Sequence, residues 1–214
     1  SAHSDIQVGL AFSKNEWKSN EELDSDIFDI SPSVDGKVVL LANNVIAFQP
    51  KKKLKQNEQY QVTLHLDKLI DIPNKELREF RFTVKTIQQD FAVETVDLQS
   101  YNKDSQFLNI LLKTADNMDL KTAKKIISAE QNGNKLPIKF NESQKETAEF
   151  NIVIDKIQRT DEDSSITIKW DGDDADIDKK GELQFAIPGK NNFSVVGVRI
   201  GDENNQSVHI NFSD

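Results

Sequence analysis

Three short runs, beginning at residues 8, 108 and 208, repeat one pattern, and that repetition narrows the possible folds more than any other feature of the chain. Val8-Gly9-Leu10-Ala11-Phe12-Ser13, Leu108-Asn109-Ile110-Leu111-Leu112-Lys113 and Val208-His209-Ile210-Asn211-Phe212-Ser213 each place a large apolar residue at every second position. Successive side chains of a strand point to opposite faces, so this alternation describes strands with one buried face. The third run also repeats the Phe-Ser ending of the first. A further shared run precedes the later two copies: Phe91-Ala92-Val93-Glu94-Thr95-Val96 and Phe193-Ser194-Val195-Val196-Gly197-Val198. The recurrence predicts tandem units, each opened by a pair of strands.

The sequence between the repeats is built from short strands and turn signals. In the first unit, strands are expected over 6–14, 27–32, 37–41, 45–50, 60–66 and 80–84, with turns at Asp35-Gly36, Asn43-Asn44 and Asp71-Ile72-Pro73-Asn74. Residues 15–26 are polar and acidic, with Trp17 and Leu23 as their large apolar residues, and read as a loop or a short helical turn. In the second unit, strands are expected over 91–98, 107–112, 126–130, 136–140, 150–157, 166–170 and 183–187. Asn132-Gly133 is a hairpin turn, and the spacing of Met118, Leu120, Ala123 and Ile127 permits two helical turns. The polar stretch 86–90 separates the units. The prediction is an all-β chain of tandem antiparallel β-sandwiches at 1–88 and 89–191, with 192–214 the opening hairpin of a truncated third domain.

Within that hairpin, Phe193, Val195 and Val198 are expected to face Val208, Ile210 and Phe212 across Gly201-Asp202-Glu203-Asn204-Asn205. A lone two-stranded hairpin is marginal in water. It is therefore expected either to be mobile or to dock, by adding to an exposed sheet edge of its own chain or by edge-strand self-association with a neighbouring copy; the competing reading makes residues 192–214 native strands of the second unit.

Composition removes several classes of chemistry. The chain has no cysteine, which excludes disulfides, thiolate metal sites and a thiol nucleophile. A net charge of −9 offers no basic stripe to neutralise phosphates, so no nucleic-acid partner is expected. No apolar run approaches the roughly 18 residues of a membrane-spanning helix. His3, His65 and His209 lie in different units, and none has the serine and carboxylate pattern of a triad. The eight glycines form no phosphate-cradling loop. No catalytic, cofactor-binding or metal residue is assigned, and neither an enzyme nor a cofactor is expected. Lys51-Lys52-Lys53 reads as a solvated loop guarding a sheet edge, and Trp170 as a core residue. Asp171 to Asp178, with Asp161-Glu162-Asp163 before it, sets carboxylates at alternate positions. Counted from Asp171, however, Asp176 stands where a calcium loop requires glycine. It reads as a solvated acidic turn.

The motif order of the first unit carries a family resemblance. It runs Phe12-Ser13, Ile30-Ser31-Pro32, Val34 to Gly36, Asn-x-Ile-x-Phe-x-Pro from Asn44 to Pro50, Leu54, and Tyr-x-Val-x-Leu from Tyr60 to Leu64. This order resembles the bacterial immunoglobulin-like domains at the front of large bacterial alpha-2-macroglobulins. Phe80 to Val84, the unit from Phe91 and the opening from Phe193 resemble the macroglobulin-type sandwiches that follow them. The resemblance implies immunoglobulin-like and macroglobulin-type folds in a multidomain envelope protein, periplasmic and lipid-anchored, that traps proteases when a bait segment is cut. With no cysteine, the chain holds no thioester, and its implied role is a non-catalytic scaffold fragment. Its implied partners are the remaining domains of the parent chain and, through the full-length protein, proteases. The alternative is a set of tandem immunoglobulin-like binding modules from a bacterial surface adhesin or glycan-handling protein.

Overall fold

The computed structural model describes residues 1–2, 4–12, 17–41, 44–200 and 207–213, with the backbone alone at Arg199. His3, Ser13, Asn43 of one expected turn and the whole expected turn Gly201–Asn205 lie outside the described residues. The chain is all-β, its strands pair antiparallel, and it divides between Gln88 and Gln89 into two compact units.

The first unit contains β1 (Ile6–Gly9), β2 (Glu21–Leu23), β3 (Phe28–Ser31), β4 (Gly36–Leu41), β5 (Val45–Pro50), β6 (Gln59–His65) and β7 (Glu79–Lys85). They form two sheets, ordered β1-β5-β4-β2 and β3-β6-β7. Alternation decides which face goes inward. Tyr60, Val62 and Leu64 of β6 are buried, and they meet Val38, Leu40, Ile46 and Phe48 in one core. The Ser31–Pro32 peptide is cis.

Two expectations for this unit need correction. Residues 21–23 form an edge strand paired to β4, from Glu21 opposite Leu40 to Leu23 opposite Val38. Three residues are too few to carry a readable alternation, and exposed glutamates are how edges are commonly guarded. The first repeated run, moreover, does not open a hairpin. β1 pairs with β5, setting Ile6 opposite Phe48 and Val8 opposite Ile46.

The second unit contains β8 (Phe91–Asn102), β9 (Ser105–Asp119), α1 (Leu120–Ile126), β10 (Ile127–Gln131), β11 (Asn134–Lys135), β12 (Ile138–Phe140), β13 (Glu146–Gln158), β14 (Ser164–Asp171), β15 (Lys180–Ile187), β16 (Val195–Ile200) and β17 (Val208–Phe212). Its sheets are β12-β13-β9-β8, β11-β10-β14-β15 and the pair β16-β17. In β9 every second residue from Gln106 to Met118 is buried. Leu108, Ile110 and Leu112 share one core with Phe150, Ile152 and Ile154 of β13 and with Ile166 and Ile168 of β14. The short α1 starts where the Asp119 carboxylate accepts from the Thr122 N–H at 3.0 Å, a side-chain cap. It buries Ala123 and Ile126.

Asn132 and Gly133 both take left-handed backbone, φ 52° and 77°, as a tight two-residue hairpin turn requires. The strand expected over 136–140 is divided at Pro137. β11 stays with β10, whereas β12 crosses to the opposite sheet and pairs with β13. Proline has no N–H to give a ladder. Its carbonyl accepts from the Asp155 N–H at 2.9 Å, and the chain changes sheets there.

A candidate interaction surface on the C-terminal hairpin

Among the described residues, those singled out from sequence lie apart from one another. His65 sits 3.8 Å from Glu79 in the first unit, and His209 lies 3.3 Å from the Ser207 hydroxyl in the second. Lys51, Lys52 and Lys53 are exposed on the loop after β5. Trp170 packs half-buried at the margin of the second core and faces Gly181 across the β14–β15 ladder. A β-carbon on Gly181 would stand 2.7 Å from the indole, so the ring occupies the space a side chain would fill.

The acidic turn joins β14 to β15, and lysines answer it. Lys180 reaches Asp171 at 3.0 Å and also bonds Asp173, while Lys125 reaches Asp174 at 2.8 Å. The Asp173 N–H, followed by Lys180, holds the Asp171 carboxyl below the usual carboxylate range. Asp163 does not join this turn. It accepts from the Gly189 N–H at 2.8 Å and from Asn192, and so pins the loop ahead of β16. Among the described residues, no group of three or more acidic or histidine side chains is arranged to hold a metal ion.

The hairpin β16–β17 is different, because it presents an uncovered apolar face. Val195 pairs with Phe212, Val198 with Ile210 and Ile200 with Val208. All six are exposed, from 43% at Phe212 to 86% at Ile200. The Phe193 ring stacks on Phe212 with centroids 5.1 Å apart and planes 13° from parallel. The register reproduces that of the β8–β9 hairpin: Val93 pairs with Leu112 as Val195 pairs with Phe212. Each hairpin then shifts by one residue, after Thr95 in β8 and, two residues sooner in the repeat, after Val195 in β16. In β8–β9 the corresponding apolar face, with Leu98, Leu108, Ile110 and Leu112, lies in the core. In β16–β17 it does not.

The opposite face of the hairpin is tied to β8 by buried polar groups. Val196, the residue set free by the shift, packs against the second core. Asp97, 4% exposed, accepts from Asn109 at 2.7 Å on β9 and from Asn211 at 3.3 Å on β17. Arg159, also 4% exposed, donates to the carbonyls of Pro188 at 3.0 Å, Gly189 at 2.8 Å, Lys103 at 3.4 Å and Ser213 at 2.6 Å. The Ser213 carbonyl accepts as well from the Ser100 hydroxyl at 3.0 Å and the Gln106 amide at 3.3 Å. The hairpin therefore docks through side chains and remains a sheet of its own, without extending the β8 ladder. Sequence reasoning missed Asp97 and Arg159. Each is a single charged residue in a strand-rich region, and its partners come from segments distant along the chain.

No family model matches this chain, and no curated protein or solved structure matches it. Among the described residues, no helix is long and apolar enough to cross a membrane.

Proposed function

We propose that this chain is a non-catalytic scaffold segment of a macroglobulin-like, protease-trapping protein of the bacterial cell envelope. The observation that carries the reading is the repeated hairpin. β16–β17 restates the pairing of β8–β9 immediately after a β-sandwich, which is the organisation of a tandem array of sandwiches. The macroglobulin likeness itself rests on the motif order from Ile30-Ser31-Pro32 through Asn44–Pro50 to Phe80–Val84. In this reading the protease-trapping chemistry belongs to other parts of a parent chain, and these units position it. The parent is periplasmic or otherwise envelope-bound.

Protease challenge tests the proposal. The 214-residue chain is incubated with trypsin-like and elastase-like proteases, beside the complete natural gene product that contains it. The expected result is that the chain alone leaves hydrolysis of large protein substrates undiminished. The complete product should shield large substrates while small peptides are still cut. Stoichiometric inhibition by the chain alone overturns the scaffold role. A complete product that shields nothing, and instead binds glycans or host surfaces, replaces the reading with that of an adhesive binding module.

A further inference from the structure

We infer that the outward face of the β12-β13-β9-β8 sheet carries a cleft for a neutral oligosaccharide, with the Tyr101 ring as its platform. Asp97, Asn109, Val153 and Lys139 lie side by side in one row across the four strands, on the side turned away from the core. A cavity of about 370 Å³ opens over this row, and Asn141 and Asn151 line it further. A second cavity, of about 570 Å³, lies between the 99–103 end of β8 and residues 210–212 of β17. Asp97 joins the two. It lines the first and accepts from Gln99 at 2.7 Å and Asn211 at 3.3 Å, which line the second. Both volumes fall in the range of small-molecule sites, about 300 to 1,000 Å³.

Tyr101 is 55% exposed, yet its ring is held in place. It rests on Phe107 with centroids 4.7 Å apart, and its hydroxyl donates to the buried Asp155 carboxylate at 3.0 Å. Lys139 answers that carboxylate, so the pair brings no net charge to the cleft. A ring packed on one side and more than half exposed keeps an open face, and its orientation is set before any ligand arrives, which lowers the cost of binding. Such a face suits the apolar C–H surface of a pyranose ring. The hydroxyls around a sugar's rim need donors and acceptors together, and an amide side chain offers both. Gln99, Asn102, Asn141 and Asn151 supply amides along the two cavities. The Asn102 oxygen accepts from the Asp104 N–H at 2.9 Å, which leaves its NH2 group to donate to a ligand. Asp97 at the junction disfavours an anion. An extended peptide is held chiefly by main-chain pairing at a strand edge, whereas this cleft crosses the face of a sheet.

Amide spectra of the isotope-labelled 214-residue chain, titrated with cellohexaose, maltohexaose and chitohexaose through the millimolar range, test this. The expected result is saturable shifts with at least one of the three sugars, confined to residues 96–103, 107–109, 139–141 and 151–153. Tyr101→Ala should weaken that binding about tenfold or more, the size of a lost ring stack, with amide dispersion unchanged. Tyr101→Phe keeps the ring and should lose less. Asn102→Ala alters an exposed side chain and should weaken binding while the ring stays in place. Silence from all three sugars overturns the inference. So do shifts that survive Tyr101→Ala undiminished, and so do equal shifts from an uncharged peptide of serine, glycine and valine, which would give the cleft to a peptide. Sugar binding is read from these shifts and the scaffold role from protease shielding, so either idea can fail without the other.

Discussion

The guanidinium of Arg159 donates to the carbonyl of Ser213 at 2.6 Å across 54 residues of sequence, and neither residue is more than 4% exposed. The same guanidinium binds carbonyls of the β8–β9 turn and of the loop that leads into β16. Arg159 thus gathers three separate segments where the hairpin meets the sandwich.

Arg159→Met keeps the length of the apolar stem and removes every donor. Hydrogen bonds from a charged group are worth roughly 1.5 to 3 kcal/mol each, and buried carbonyls left unpaired add their desolvation cost. The expected loss is about 3 kcal/mol in the second unit, read from amide exchange under mild denaturant. Amides of 195–200 and 208–213 should lose protection first. Hairpin protection equal to wild type would show that Arg159 does not hold it.

Leu64 is fully buried in the core of the first unit. Leu64→Ala should cost about 2 to 5 kcal/mol through lost burial and the cavity left behind. Exchange of the amides of β3, β6 and β7 should accelerate. Those of β9 and β13, whose core is built from other residues, should keep their rates. Equal acceleration in both units would mean that they unfold together.

Acid should act on the second unit through its aspartates. Lys139 holds the Asp155 carboxyl below the ordinary range, and hydrogen bonds from the Lys156 N–H and the Tyr101 hydroxyl add to this. Lys179 lowers Asp90, Lys190 lowers Asp104, and the Gly189 N–H lowers Asp163. A group with a lower folded than unfolded value stabilises above its unfolded value, about 3.9 for aspartate, and that stability is lost as pH falls through the folded value. Asp155, 4% exposed, should dominate, because water screens the exposed pairs. Urea midpoints of the second unit should hold down to about pH 4 and drop below it. Asp155→Asn should lower the plateau and flatten the drop, whereas a drop of unchanged size would place the acid sensitivity elsewhere.

Gly181→Val would drive a side chain into the space held by the Trp170 indole. Overpacking of this kind costs about 1 to 3 kcal/mol. In a Trp17→Phe background, where Trp170 is the remaining tryptophan, emission should shift to longer wavelength as the ring moves into water. Unshifted emission would mean that the ladder, and not the ring, gives way.

The sandwiches were legible wherever one face of a strand is buried and the other is wet. β6, β9, β13 and β14 carry that signal along most of their length, and Asn132-Gly133 announces its turn by local chemistry. β2 is too short to alternate. The crossing at Pro137 is hidden because Ile138 and Phe140 alternate with Lys139 in the same way whichever sheet takes them. The junction with the hairpin was illegible for another reason. Its energy lies in single polar residues, Asp97 and Arg159, whose meaning depends on which carbonyls and amides the fold delivers to them. The apolar face of β16–β17 could be read as a pattern, but the alternation is the same whether the face is covered or bare.

Asp97 lies opposite Asn109 just past the shift in β8–β9, and Asn211 lies opposite Gly197 just past the earlier shift in β16–β17. One carboxylate therefore serves two successive copies of the repeat. Beads on a string can be cut and rejoined anywhere along the thread, but these copies cannot. A recombination event that carried β16–β17 away from β8 would strand the Asn211 amide, and drift at position 97 would be felt in both hairpins at once. Asp97, Asn109 and Asn211 should be inherited as a set, because a change at any one of them is felt in both hairpins.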